Sequence, residues 1–194
     1  MTSFPFTEQA WLYALGQIEK YGSDVITEDR QRIKEILGLE LSINEPLAHF
    51  PIRGSNWDLP ALDQYANDLC NFSYDLKGFD YNYCERMGRQ VYYAIEHLRK
   101  YPTTRRATLF LWLPEKDLET GQHHPCQIMA DYKLRDGQLH AFHVFRSHDI
   151  RDAYVPNVYG LAKLQKQISE ELEVEPGPLT TYSISVHYYI ERLH

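Results

Sequence analysis

The chain has 194 residues, of which 43% are hydrophobic and 24% charged, a composition that excludes an intrinsically disordered protein. Its 20 Lys and Arg against 27 Asp and Glu give a net charge of −7, which argues against a general nucleic-acid binder. Because no membrane-length apolar run and no signal-peptide pattern is found, we expect a single cytoplasmic domain over residues 1–194.

Hydrophobic periodicity predicts helices and strands in mixed order along the chain. Apolar residues recur at helical spacing in four segments, 7–21, 60–70, 85–100 and 157–172, and Thr7 is expected to cap the first helix. Strands are predicted at 35–43, 107–113 and 180–190. Two more, 126–134 and 138–146, flank an Asp136-Gly137 turn and form a hairpin. Since strands and helices do not alternate regularly, the predicted class is α+β.

Cys126 is the cysteine in the most suggestive surroundings. The three cysteines, Cys70, Cys84 and Cys126, form no closely spaced pair, which argues against a disulfide framework or a zinc site. Cys126 begins a strand, where a thiol can face solvent and where a nearby guanidinium would favour the thiolate. Arg146 lies at the far end of the same hairpin, so the turn should bring it next to Cys126. Taken singly, each of these residues is more often structural than functional.

The order and spacing of several short motifs resemble the thymidylate synthase family. The motifs are Pro125-Cys126-Gln127, Arg146-Ser147-His148-Asp149, Val155-Pro156-Asn157 and His187-Tyr188-Tyr189, with Arg105-Arg106 upstream. Any single motif is weak evidence, whereas four in the family's order are strong. The resemblance implies a mixed β-sheet packed with helices, one face of which forms a homodimer interface.

The resemblance implies roles for the thiol and for four residues that bind phosphate. Cys126 would be the nucleophile that adds to C6 of a pyrimidine nucleotide and turns C5 into a carbon nucleophile. Arg146 would contact the phosphate and help keep the thiol ionised, and Ser147 would bind the same phosphate. Arg105 and Arg106 would reach the phosphate in the neighbouring subunit. Guanidinium forks suit a phosphate because their planar donors match its oxygens.

The resemblance assigns the base and the sugar to other residues. Asp149 would support the ring site, and Tyr83 would join the hydrogen-bonded network near C5. Asn157 would contact the O4 and N3 edge of the base, and an amide there suits a uracil, which favours dUMP over dCMP. His187 and Tyr189, which strand alternation places on one face, would bind the sugar 3′-hydroxyl.

The sequence also departs from the family's pattern. The predicted helix 60–70 offers Asp63 and Asp68 but no glutamate, and Tyr65 falls near the position of the family's catalytic glutamate. Arg30 lies before the first predicted strand, where the family has a phosphate-binding arginine, but no glycine-rich loop follows; a surface arginine is the alternative. The C-terminal extension that closes over folate in other members is not found after Tyr189.

The resemblance as a whole implies a thymidylate synthase-type methyltransferase that converts dUMP to dTMP. The compact chain is similar to the short, methanogen-type archaeal branch, which implies methylene-tetrahydrofolate or a related pterin as one-carbon donor and no metal. The alternatives are a 5-hydroxymethylase acting on dUMP or a CMP-type nucleotide, and a catalytically silent nucleotide-binding homologue. Neither a nucleic acid nor a membrane is an expected partner.

Overall fold

The computed structural model describes residues 2–70, 83–118 and 124–190. Within these ranges the chain forms seven strands and five helices. In chain order they are β1 (Thr2–Phe6), α1 (Thr7–Tyr21), β2 (Ser23–Ile26), β3 (Arg32–Glu45), α2 (Leu59–Cys70), α3 (Tyr83–Lys100), β4 (Thr108–Phe110), α4 (Pro114–Asp117), β5 (Gln127–Arg135), β6 (Gln138–Asp149), α5 (Tyr154–Glu171) and β7 (Glu175–Tyr189). None of the described helices is both long and apolar enough to cross a membrane.

The strands form one mixed sheet in the order β1-β3-β7-β6-β5-β4, with β2 also pairing with β3. β1 lies parallel to β3 and β6 parallel to β7, and the other pairs are antiparallel. The combination of this sheet with helices confirms the predicted α+β class. Because β6 and β7 are central, they bring the motifs of the second half of the chain side by side.

The two faces of the sheet differ in burial. Pairing register aligns a buried row across five strands, Leu41, Thr181, His143, Ala130 and Leu109, against the helices. The next residues along the strands point the other way and form what we call the outer row. The outer row consists of Glu40, Tyr182, Val144, Met129 and Phe110. Tyr182 is 45% exposed and Phe110 54%, so this face carries uncovered aromatic surface.

Helix α5 lies in the middle of the helical layer. Nearly all residues of its first two turns are buried, and it contacts α2, α1, β6 and β7. A helix that is buried almost all round packs between other elements rather than on the surface. Asn157 lies in the first turn of α5 and is therefore held among packed elements.

Several local predictions were wrong in detail. The Thr7 side chain does not cap α1; its hydroxyl donates to the Pro46 carbonyl at 2.8 Å. Two unpredicted strands, β1 and β2, precede Arg30, which lies in the turn between β2 and β3. β1 carries Pro5 and β2 has four residues, so neither shows the pattern of a longer strand. The apolar run 107–113 is a strand only at Thr108–Phe110, because the N–H groups of Leu111 and Trp112 both donate to the Ile128 carbonyl.

Candidate functional site

Cys126 lies immediately before β5, half-buried, with Arg146 beside it on β6. The Arg146 backbone N–H donates to the Cys126 carbonyl at 2.8 Å, which confirms that the hairpin brings the two residues together. The Arg146 guanidinium donates from Nε to the Pro125 carbonyl at 3.0 Å and from Nη2 to the His124 carbonyl at 2.9 Å. The guanidinium thus holds the segment that carries the thiol, and these two bonds use two of its five N–H donors.

Tyr83, the first residue of α3, reaches the same segment. Its hydroxyl oxygen accepts the backbone N–H of Gln127, the residue after Cys126, at 3.1 Å. The Gln127 side chain points into the core, where its Nε2 lies 2.9 Å from Nδ1 of His143. Burial lowers the pKa of His143 to about 3, so the ring is neutral and Nδ1 accepts this bond.

A buried ion pair fixes the helix that carries Tyr83. Arg86, one turn along α3, binds Asp117 of α4 through two bonds, 2.6 Å from Nη1 and 2.8 Å from Nη2. Its Nη1 also donates to the Leu111 carbonyl at 2.7 Å. The hydrogen bond from Arg86 lowers the pKa of Asp117, in spite of burial, which acts in the opposite direction. Nothing in the sequence pattern predicted this pair.

Asn157 is buried and engaged at both ends of its amide. Its Oδ1 accepts a hydrogen bond from the Tyr65 hydroxyl, and its Nδ2 lies 3.2 Å from Nε2 of His148. His148 stacks on Phe145 with ring centroids 3.9 Å apart, and Phe145 pairs with Gln127 across the hairpin. The amide is therefore connected through packed side chains to the strand that follows Cys126.

Asp149, His187 and Tyr189 form a second cluster on β6 and β7. Asp149 pairs in register with His187, whose ring meets Tyr189 edge-on at 5.5 Å, confirming that His187 and Tyr189 share a face. Asp149 Oδ1 accepts the N–H groups of Arg151 and Asp152 at 3.0 and 3.2 Å. Burial raises the pKa of Asp149 and lowers that of His187, while attraction between the two opposes both shifts.

The other residues that were predicted to bind phosphate do not all lie near the Cys126 thiol of the same chain. Ser147 follows Arg146 and is half-buried, in register with Ser185 of β7. Arg30 is exposed in its turn, and Arg105 and Arg106 are exposed ahead of β4.

The strand pairing sets the distance between the Arg105-Arg106 pair and Cys126. The Ala107 carbonyl accepts the Tyr132 N–H at 2.9 Å, six residues along β5 from Cys126. At about 3.3 Å per residue the arginine pair is about 20 Å from the thiol of the same chain.

The carboxylates of α2 are hydrogen-bonded away from Asn157. Asp63 accepts the Tyr159 hydroxyl at 2.6 Å and lies 3.6 Å from Nζ of Lys163. Asp68 accepts Nε2 of Gln64 at 2.8 Å. Tyr65, which the motif resemblance places near the position of the family's catalytic glutamate, is the α2 residue that contacts the Asn157 amide.

Other candidate chemistry is sparse in the described part of the chain. No group of three or more His, Cys, Asp and Glu side chains within it converges in a way that could hold a metal ion. Cys70 and Cys126 are both half-buried, and Cys70 lies on α2 with Sγ 3.9 Å from the Gly160 carbonyl. The side chain of Cys84 lies outside the described residues.

Comparisons with known proteins agree with the motif pattern. A family model described as thymidylate synthase matches residues 54–194. A protein of Methanosarcina mazei named "Putative thymidylate synthase" is 37% identical over 186 residues, which cover 93% of this chain and 85% of that protein. Proteins of the same name from Methanothermobacter marburgensis and Methanopyrus kandleri are 34% and 33% identical, with 93% and 96% of this chain covered and 89% and 91% of theirs.

Proposed function

The chain belongs to the thymidylate synthase family, and from that premise we propose that it converts dUMP to dTMP by one-carbon transfer to C5. One observation carries the proposal: the Arg146 guanidinium is fixed on the backbone segment that presents the Cys126 thiol. Its remaining N–H donors can bind a nucleotide phosphate next to the segment that carries the thiol.

The proposed chemistry begins with addition of the Cys126 sulfur to C6 of the uracil ring. The electrons of the C5–C6 double bond then move onto the C4 carbonyl oxygen as an enolate, and C5 attacks the one-carbon unit. Loss of the C5 proton would then expel the reduced pterin carrier and leave an exocyclic methylene at C5. Hydride from that carrier, which is oxidised from the tetrahydro to the dihydro level, would reduce the methylene to the methyl group, and departure of the Cys126 sulfur from C6 would restore the ring. In this scheme Asp149 and Tyr83 support the reacting ring, Asn157 contacts the base edge, and His187 and Tyr189 bind the sugar hydroxyl.

The phosphate site is proposed to need a second copy of the chain. We propose a homodimer in which the outer row of one subunit faces that of its partner, which would cover the exposed Tyr182 and Phe110. In such a dimer the two-fold axis would lie in the plane of the interface and cross the strands. The strands of the partner subunit would then run in the opposite direction to those they face. Arg105 and Arg106, remote from Cys126 in their own chain, would then approach the partner's site and contact its phosphate together with Arg146 and Ser147. Arg30 is proposed as a further phosphate ligand.

The one-carbon donor is proposed to be methylene-tetrahydrofolate or a related pterin, bound as a second substrate without a metal. A pterin ring stacks on aromatic side chains. Trp112 supports this assignment, because its ring lies 5.9 Å from the Arg146 guanidinium carbon and 4.8 Å from the His124 ring. The enzyme would act in the cytoplasm, as one domain spanning residues 1–194.

Release of tritium from [5-³H]dUMP tests the nucleophile directly, because exchange at C5 requires addition at C6. We expect the wild-type protein to release tritium and Cys126→Ser to release none. Cys70→Ser is the matched control, since Cys70 is likewise a half-buried cysteine but lies on α2, and it should retain release. Equal release by wild type and Cys126→Ser would disprove the proposed nucleophile.

A second candidate function follows from the α2 contacts. Both α2 carboxylates are hydrogen-bonded elsewhere, and a tyrosine contacts Asn157. This favours, as the alternative, a catalytically silent homologue that binds the nucleotide. Intact dUMP binding without tritium release would support it. If turnover occurs, the product mass separates methylation from hydroxymethylation, because only the latter retains an added oxygen.

A further inference from the structure

Four side chains from four elements of the fold, Asn157 of α5 among them, form one hydrogen-bonded chain. Tyr65 of α2 bonds the amide oxygen, and His148 of β6 lies 3.2 Å from the amide nitrogen. The other ring nitrogen of His148, Nδ1, lies 2.9 Å from Oγ of Ser183 on β7. Asn157, His148 and Ser183 are all buried, so solvent does not compete for these bonds.

The direction of each bond follows from which groups can donate. A side-chain NH₂ only donates, so Nε2 of His148 must accept from Asn157. Burial lowers the pKa of His148 to about 3, so the ring is neutral and carries its single proton on Nδ1, which donates to Ser183. The Tyr65 hydroxyl donates to Oδ1. The amide is thus held in one of its two possible orientations.

Packing restrains both residues that hold the amide. The Tyr65 ring meets Trp57 edge-on at 5.9 Å and lies against Gly160, where an added Cβ would come within 3.3 Å of the ring. The His148 ring is stacked on Phe145 and lies 5.2 Å from Tyr154. Reversal of the amide would require a proton shift on His148, a reversed bond to Ser183 and a Tyr65 hydroxyl that no longer donates to Asn157.

We propose that Tyr65 and His148 are specificity-determining positioning residues, which hold the Asn157 amide in the orientation that binds uracil and rejects cytosine. This inference rests on the proposed function, in which Asn157 contacts the base. After its two internal bonds, the amide retains one N–H on the His148 side and one lone pair on the Tyr65 side. This N–H donor and this acceptor oxygen match the O4 acceptor and the N3–H donor of uracil. Cytosine offers the reverse pair, an amino donor and an N3 acceptor, and would need the flipped amide.

Titration calorimetry of the full-length protein with dUMP and with dCMP tests the inference. The wild-type protein is expected to prefer dUMP, and Tyr65→Phe to lower the dUMP-to-dCMP affinity ratio about tenfold, the size of one lost hydrogen bond. Tyr159→Phe is the matched control, because its hydroxyl also joins α5 to α2, through Asp63, without touching the amide. The dUMP-to-dCMP affinity ratio of Tyr159→Phe should equal that of the wild type, since loss of helix packing alone weakens the binding of both nucleotides equally.

The outcomes separate this inference from the proposed function. A wild-type protein that binds neither nucleotide would overturn the proposed function, and this inference with it. Preference for dUMP in the wild type with an unchanged ratio in Tyr65→Phe would overturn only the inference. Nitrogen-15 NMR of the wild-type protein provides a second measurement that needs no variant: we expect His148 to be protonated on Nδ1 alone. Protonation on Nε2 would contradict the proposed orientation of the amide.

Discussion

The Arg86–Asp117 pair is predicted to be the most costly single ion pair to break among those described. Its side chains are 9% and 1% exposed, and the two charges meet through two hydrogen bonds. Asp117→Ala would remove the carboxylate that faces the buried guanidinium through two hydrogen bonds, which costs about 3–5 kcal/mol of the free energy of unfolding. Urea denaturation measures this cost as a shift in the midpoint urea concentration, provided that the slope of the free energy of unfolding against urea concentration is unchanged.

Two further variants make this prediction specific. The double variant Arg86→Met with Asp117→Leu removes both charges. Its loss in the free energy of unfolding should therefore be about 2 kcal/mol smaller than the sum of the losses in the two single variants. The exposed pair Lys166–Glu170, 55% and 64% exposed, is the control, and Lys166→Ala should cost less than about 1 kcal/mol. The reasoning would be refuted if Asp117→Ala cost no more than Lys166→Ala, or if the two single effects simply added.

Three more predictions concern pH, phosphate binding and the dimer. His143 has its pKa lowered by burial to about 3, so between about pH 3 and pH 6.5 the unfolded state binds the proton and the folded state does not. His143→Gln should therefore remove up to about 1.4 kcal/mol per pH unit from the decline in the free energy of unfolding on acidification through this range, and an unchanged slope would contradict this. Arg146→Lys should weaken dUMP binding about tenfold because the planar fork is lost. Arg135→Lys, which alters an arginine bonded to carbonyls at the other end of the hairpin, should not; equal losses would count against a phosphate role. Mixing inactive Cys126→Ser and Arg105→Ala subunits should restore about one quarter of the wild-type rate, since half of the dimers then contain one intact site; no recovery would argue against sharing of the site.

Local signals explain which parts of the fold the sequence predicted. The Asp136-Gly137 turn has φ of 51° and 76°, and positive values at both positions are what a two-residue hairpin needs, so this hairpin and its register were predictable. Helix α1 was predictable because apolar residues repeat along it at helical spacing, and Trp11 and Ile18 of that pattern are buried. The start of β7 was not, because Pro176, Gly177 and Pro178 are typical of a turn.

The contacts that define the candidate site lie between residues far apart in the chain. Cys126 and Arg146 were predictable as neighbours because one hairpin joins them. Tyr65 and Asn157 are 92 residues apart, and no periodicity relates a side chain of α2 to one of α5. The sequence indicated both positions, but only the packing of the two helices shows that the tyrosine hydroxyl contacts the amide.

The central claim is that the Cys126 sulfur attacks C6 of a bound pyrimidine nucleotide, and a crystal structure of the protein with dUMP tests it most directly. The account predicts Sγ of Cys126 within about 3.5 Å of C6, with the phosphate contacted by Arg146. A nucleotide bound elsewhere, or a thiol facing away from the pyrimidine ring, would contradict it.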